Sequence, residues 1–301
     1  MELIGKTNID FIGKRNISFI ISGIIAIIGI IGIIQVGRGA ANMGIDFTGG
    51  TSLQMKFSKP MPMENARKAL LKNGLEPGLQ EITDGNKLLI KIGRANLPLG
   101  KVSGTVQEIF RKEFPDNTFV VESSTEIGPS IGDKLRKDTL IAILIAMLGI
   151  ILYIAWRFDF KFGVAAAIAT FHDVLAMFAV FYVFNLEIDL LFITAVLTIA
   201  GYSLTDTVVV FDRIRENMHK NQKDSLPKIF NQSINEVLSR TIITSLTTFL
   251  AAVSLFLFGG EVIHSFALAL VIGVVVGTYS SIFVASPVAV VWENRGKKGS
   301  V

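Results

Sequence analysis

The chain has 301 residues, 50% hydrophobic and 18% charged, with a net charge of +4 and no cysteine. The missing cysteines exclude disulfides, thiol catalysis and Cys-based metal sites. The positive charge is not a nucleic-acid signature, because the basic residues flank long uncharged runs; runs of about 20 apolar residues mark a polytopic membrane protein interrupted by one polar block of about 100 residues.

Met1–Asn16 is short and polar, with Lys6, Lys14 and Arg15. Ile17–Val36 follows without a charge. A basic start before an apolar run also fits a signal peptide. This run is longer than the roughly 7–15 residues of a signal core, and no A-x-A-like site closes it, so it reads as the first span.

Residues 37–138 form the polar block. GIDFTGGT (Gly44–Thr51) opens it with glycines suited to a turn at positive φ. Thr51–Phe57 alternates like a strand. Pro60–Asn73 reads as a helix with Ala66, Leu70 and Leu71 on one side, ended by Gly74. Leu79–Thr83 and Lys87–Ile92 read as strands around Asp84-Gly85-Asn86. Val102–Phe114 is a second helix with Val106, Ile109, Phe110 and Phe114 inward, and Thr118–Val121 a last strand. The order strand–helix–strand–strand–helix–strand is that of a ferredoxin-like α+β domain.

The remaining spans, within residues 139–291, are Leu140–Trp156, Gly163–Phe184, Leu190–Phe211, Thr241–Phe258 and Ile263–Val291, the last ended by Pro287. Leu226–Leu238 is an amphipathic helix in a polar loop over residues 212–239. Residues 292–301 are a basic tail. Six spans put both termini on one side. The loops there carry Lys6, Lys14, Arg15, Arg157, Lys161, Arg213, Arg215, Lys220, Lys223, Lys228, Arg295, Lys297 and Lys298, whereas Asn185–Asp189 and Gly259–Glu261 carry no Lys or Arg. The positive-inside rule makes the termini cytoplasmic and the polar block extracytoplasmic.

Asp206 is the leading candidate for chemistry. It lies inside the fourth span, where a carboxylate costs about 2.5–3.5 kcal/mol on insertion scales. Ser203, Asp206, Val210 and Arg213 follow i, i+3, i+7, i+10 and make one face, polar except for Val210, which belongs inside a bundle. Asp is too short to snorkel as Lys and Arg do. Burial favours its neutral form and a nearby cation its anion, so a balanced site can load and release a proton. Arg240, at the start of the fifth span, is either that cation or an ordinary positive-inside anchor.

His172 and Asp173 interrupt the third span. Adjacent helical residues point about 100° apart. A structural interhelical hydrogen bond is slightly favoured over a proton relay. No second His or carboxylate is spaced to complete a metal site. His264 reads as interfacial, and Tyr153 and Trp156 as an aromatic belt. Gly273, Gly277, Ser281 and Ala285 recur every four residues, a face that admits a close helix neighbour. There is no Walker motif, and no basic residue follows Gly49-Gly50 before Lys56, so neither a phosphate loop nor any other cofactor site is expected.

GIDFTGGT at 44–51, His172-Asp173, GYSLTDTVVVFDRIREN at 201–217, SRTIITSLTT at 239–248 and IGVVVGTYSSIFVASP at 272–287 together resemble the SecF family of the bacterial Sec protein-export machinery, within the RND superfamily. The resemblance covers nearly the whole chain, and the 201–217 motif is its most specific part. It implies six spans with one extracytoplasmic domain after the first, in the bacterial inner membrane. It implies a pseudosymmetric SecD partner, association with the SecYEG channel, and use of the proton gradient to help draw unfolded preproteins out of it. By motif position it places proton coupling on Asp206 and its partner arginine Arg240, with His172, Asp173 and Ser203 secondary. It implies no enzymatic chemistry of the chain's own. Two other readings remain: an RND-type exporter of lipids or small molecules, which the single domain of about 100 residues disfavours, and a passive scaffold of the export channel.

Overall fold

The structure is a computed structural model describing residues 5, 7–82, 86–93 and 100–298. Lys6, Thr83, Asp84, Gly85 and residues 299–301 lie outside the described residues, as do the side chains of Glu261, Arg295, Lys297 and Lys298. The chain divides into two compact units, Met1–Asn42 with Ala142–Val301, and Met43–Ile141.

The smaller unit begins with one helical turn, α2 (Ile45–Thr48), after the long helix α1 (Arg15–Arg38) of the larger unit. β1 (Gly50–Phe57), α3 (Met63–Lys72), β2 (Pro77–Ile82), β3 (Lys87–Ile92), α4 (Val102–Glu113) and β4 (Phe119–Ile127) follow. The strands form one antiparallel sheet in the order β2-β3-β1-β4, the ferredoxin-like arrangement expected. Alternation decides the buried face: Leu53, Met55 and Phe57 of β1 and Leu88, Ile90 and Ile92 of β3 meet Ala66, Ala69 and Leu70 of α3 and Val106, Ile109 and Phe110 of α4. Leu71 is not in this core. It is 50% exposed, because five residues from Ala66 is about 140° around a helix. β4 continues six residues beyond the predicted end at Val121, to Ile127, carried by pairing with β1. Glu122 is the extra residue of a bulge between the pairs Gln54–Ser123 and Met55–Val121.

The double glycine closes the entry to this sheet. Gly49 has φ +71° and Gly50 φ +145°, whereas Gly44, at φ −64°, needs no glycine. A Cβ on Gly50 would collide with the Ile92 carbonyl, so no side chain fits there.

In the larger unit the helices are α1, α5 (Pro129–Arg157) from Ala142 onward, α6 (Phe160–Val183), α7 (Leu190–Lys220), α8 (Leu226–Phe258), α9 (His264–Ser280) and α10 (Ser286–Lys298). Among the described residues, six helical segments are long and apolar enough to cross a membrane, α9 and α10 forming one of them. α6, α7 and α9 are the most enclosed. α1 shows Ile17, Ile20, Ile24 and Ile27, and α5 shows Leu144, Ile145, Leu148 and Leu152, on exposed surface suited to lipid.

Two predicted boundaries are corrected. The amphipathic helix and the fifth span are one uninterrupted α8, because nothing in Ser239–Arg240 breaks a helix. Pro287 does not end the sixth span. The preceding turn, Ser281–Ala285, is π-helical, and Ser286 Oγ donates to the Ser281 carbonyl at 3.0 Å. The wider turn makes room for a ring that would clash with the i−4 carbonyl, and α10 continues.

The polar N-terminus is strapped to α8 by two asparagines one turn apart. Phe11 and Ile12 donate their N–H groups to Asn231 Oδ1 at 2.9 and 3.0 Å. Asn235 Oδ1 accepts from Ile9 N–H and its Nδ2 donates to Ile9 O, both at 2.9 Å.

Gly50→Ala is expected to destabilise the smaller unit by about 1–3 kcal/mol, read as faster hydrogen exchange in β1 and β3 of the full chain; unchanged protection would contradict the strained-turn account. A second prediction concerns pH. The Lys87 ammonium, 3.1 Å from Glu122, together with the Gln54 amide at 2.8 Å, holds the Glu122 carboxyl below the usual glutamate range. A depressed carboxylate stabilises the fold above its unfolded value of about 4.3 and loses that contribution as pH falls through the folded value. Exchange protection of β4 should therefore weaken in that acid window, and less so in Glu122→Gln.

Candidate functional site

α7 is positioned from its first turn. Asp189 caps it, its carboxylate accepting the Phe192 N–H at 2.7 Å. From there the 3.6-residue repeat turns Ser203, Asp206 and Val210 inward, all buried. Arg213 continues that line but emerges, pairing with Glu236 of α8 at 2.6 Å and with Glu216 at 2.5 Å. α7 lies against α9 at Gly273 and Gly277. A Cβ at Gly273 would meet Ile199 at 2.5 Å, and one at Gly277 would meet Ser203 at 3.0 Å. These glycines are the close approach their spacing suggests. Ser281 is also buried, but it belongs to the π-helical turn, where its Oγ donates to the Thr278 carbonyl at 3.1 Å.

Asp206 is 7% exposed. Its Oδ2 accepts from Ser245 Oγ of α8 at 3.3 Å, and Ser245 Oγ accepts in turn from Thr278 Oγ1 of α9 at 2.8 Å. Three helices thus meet on this carboxylate through neutral hydroxyls. Ser245 and Thr278 also line an apolar groove of about 530 Å³ shared with Leu246, Phe249 and Val275. Arg240 does not form the suggested ion pair. Its side chain is exposed, and its charge acts on Asp206 only through space.

A second carboxylate is more deeply enclosed. Asp173 of α6 has no exposed surface. Its Oδ2 accepts from Ser203 Oγ at 2.5 Å and from Ser280 Oγ at 2.8 Å, and its Oδ1 lies 3.2 Å from His172 Nδ1. The interhelical hydrogen bonds expected of this pair are made by Asp173, while His172 turns back onto its neighbour. His172 Nε2 is buried without a partner. Among the described residues no group of three His, Cys, Asp or Glu is placed to hold a metal.

Beyond the buried carboxylates, Phe158, Phe162, Phe211 and Phe230 pack edge to face and stacked, with centroids 5.0 to 6.3 Å apart. Ion pairs gather beside them: Arg157–Asp212 at 2.6 Å, Lys161–Glu293 at 3.0 Å and Arg215–Asp159 at 3.6 Å. The residues that sequence reasoning missed are Ser245, Thr278 and Ser280. Their only signal is a hydroxyl inside an apolar run, which membrane helices also satisfy locally with an i−4 carbonyl.

The model of the protein export membrane protein SecD/SecF C-terminal family matches residues 105–295, and the SecD/SecF GG motif matches residues 41–61. Over 291 residues the chain is 52% identical to the protein translocase subunit SecF of Thermodesulfovibrio yellowstonii, covering 96% of each chain. It is 42% identical to that of Calditerrivibrio nitroreducens, covering 95% of each. The crystal structure of SecDF, a translocon-associated membrane protein from Thermus thermophilus, superposes with a TM-score of 0.84 at 34% identity. That match covers 96% of this chain but 39% of the SecDF chain. A SecDF structure in a super-membrane-facing form gives a TM-score of 0.70 at 33% identity, covering 99% of this chain and 40% of the other.

Gly277→Val should force α9 from α7 and displace Ser203 from Asp173. The expected cost is about 1–3 kcal/mol, read as a lower unfolding midpoint in detergent or bilayer. An unchanged midpoint would mean that the close approach is not a constraint.

Proposed function

The chain belongs to the SecD/SecF family of protein-export membrane proteins, and from that premise we propose that it is the SecF-side accessory subunit of the Sec preprotein translocase. It works with a separate SecD partner and uses the proton motive force to promote late stages of export through the SecYEG channel. The structural likeness to SecDF supports a SecD partner. The charge distribution supports placement in the bacterial inner membrane with both termini cytoplasmic and residues 37–138 extracytoplasmic. Its role is mechanical, with no catalytic chemistry of its own.

One observation carries the mechanism. Asp206 is enclosed by three helices and held by a neutral hydroxyl, while Arg240, on the same α8 as that hydroxyl, stands exposed. An anionic Asp206 would attract Arg240 and draw the start of the fifth span towards α7. A proton arriving at Asp206 removes that attraction and leaves the hydroxyl bond as the tie. α8 is a continuous rod of 33 residues, about 50 Å at ~1.5 Å per residue, so a shift at Arg240 moves its whole length. The repacking then moves the domain that engages the emerging preprotein.

The test is late-stage export of a model preprotein into vesicles containing this chain, its SecD-like partner and the channel, with and without an imposed proton gradient. Asp206→Asn is expected to assemble normally and to lose the gradient-dependent part of transport, at least about tenfold, as expected when a proton-binding carboxylate becomes a permanently neutral amide. Full retention of that part by Asp206→Asn would leave the chain as a scaffold of the channel.

A further inference from the structure

Proton coupling at Asp206 leaves the Asp173 cluster without a task. Among the described residues the only ion-pair geometry of His172 and Asp173 is with each other. Among the described residues no Lys or Arg of the elements packed against them is in ion-pair contact with either group. α1 has charged side chains only at its ends, Arg15 and Arg38. α7 brings Tyr202 and Asp206. α9 brings Tyr279, whose ring centre is 6.1 Å from the imidazole and whose hydroxyl is engaged by Ser22 and the Ser18 carbonyl of α1. The π-helical turn Ser281–Ala285 brings none, and Glu293 of α10 pairs with Lys161. A bare anion enclosed here would therefore stand uncompensated. The pair is neutral only when it holds one proton more than imidazole plus carboxylate.

The 3.2 Å contact accommodates that proton on either side. A proton on Asp173 Oδ1 is donated to a bare Nδ1; a proton on Nδ1 is donated back to Oδ1; no heavy atom has to move. The Ser203 and Ser280 hydroxyls hold Oδ2 in both cases. Across the ring, Nε2 is buried and has no hydrogen-bond partner, a place for a water to deliver or remove the proton.

We propose that His172 and Asp173 together form a second proton-binding site in the bundle, separate from Asp206, at the point where the Ser203 and Ser280 hydroxyls tie α6 to α7 and α9. The two sites share helices but no hydrogen bond. Ser203 precedes Asp206 by one turn of α7, and Ser280 lies two residues after Thr278, whose hydroxyl reaches Ser245 beside Asp206. Losing the proton places an anion against Ser203, one turn of α7 before Asp206, so filling one site bears on filling the other. This goes beyond the export role and does not rest on it, because the test reads protons rather than transport.

The experiment is infrared difference spectroscopy of the full chain in lipid bilayers, stepped in pH, on wild type, Asp206→Asn, Asp173→Asn and His172→Gln. Asp206→Asn should keep a titrating carboxyl band that moves together with imidazole ring bands. Asp173→Asn and His172→Gln should each lose that linked titration while the Asp206 band remains. If Asp173→Asn does not fold, Ser203→Ala in the Asp206→Asn background decides, since it keeps both groups and removes one donor to the carboxylate. Proton binding to the pair should then tighten about tenfold. The proposal is overturned if Asp206→Asn shows no linked carboxyl–imidazole titration, or if Ser203→Ala leaves the midpoint in place.

Discussion

In hydrocarbon a carboxylate has no water to bond, so every lone pair it keeps must be met by a neighbouring helix. That constraint accounts for the arrangement of the larger unit. Asp173 is met from α7 and α9 by Ser203 and Ser280, and Asp206 is met from α8 by Ser245, itself tied to Thr278 of α9. The glycines of α9 follow from the same demand. A Ser203–Asp173–Ser280 contact requires α7 and α9 to approach closely, and Gly273 and Gly277 leave room for Ile199 and Ser203. α6, α7 and α9 are accordingly the most enclosed spans, while α1, α5 and α8 keep apolar surface outward.

Neutral hydroxyls are a weak hold compared with ion pairs, and a proton-responsive site benefits from that. A buried carboxylate fixed by a bidentate arginine would stay anionic. One held by a serine can be neutral or charged with modest rearrangement. The strong pairs, Arg157–Asp212 and Arg213–Glu236 among them, lie apart from the buried carboxylates, where they fasten α5 to α7 and α7 to α8 without fixing the charge inside. The N-terminal strap acts in the same region: Asn231 and Asn235 bind backbone groups of residues 9–12, tying the approach to α1 to the rod that carries Arg240 and Ser245.

The smaller unit obeys a different rule. Its core is chosen by alternation along β1 and β3, and its entry by two glycines at positive φ, of which Gly50 leaves no room for a Cβ beside the Ile92 carbonyl. The double glycine is thus a structural necessity of the sheet.

Much of this was determined by sequence alone. Apolar runs longer than a soluble helix needs gave the spans, period-2 and period-3.6 patterns gave the ferredoxin-like order, and the i, i+3, i+7 line turned Ser203, Asp206 and Val210 inward, because each rests on local geometry. What only the tertiary structure decided was the company of the buried carboxylates. Ser245 and Thr278 are remote from Asp206 in sequence, and a hydroxyl in an apolar run can equally bond its own helix. By spacing Arg240 is equally a partner or a positive-inside anchor, because which way its side chain faces depends on how α8 packs. The continuity of α8 and the passage of the sixth span through Pro287 were likewise settled by packing: a helix enclosed by neighbours can absorb a proline in a π-helical turn where an isolated one would end.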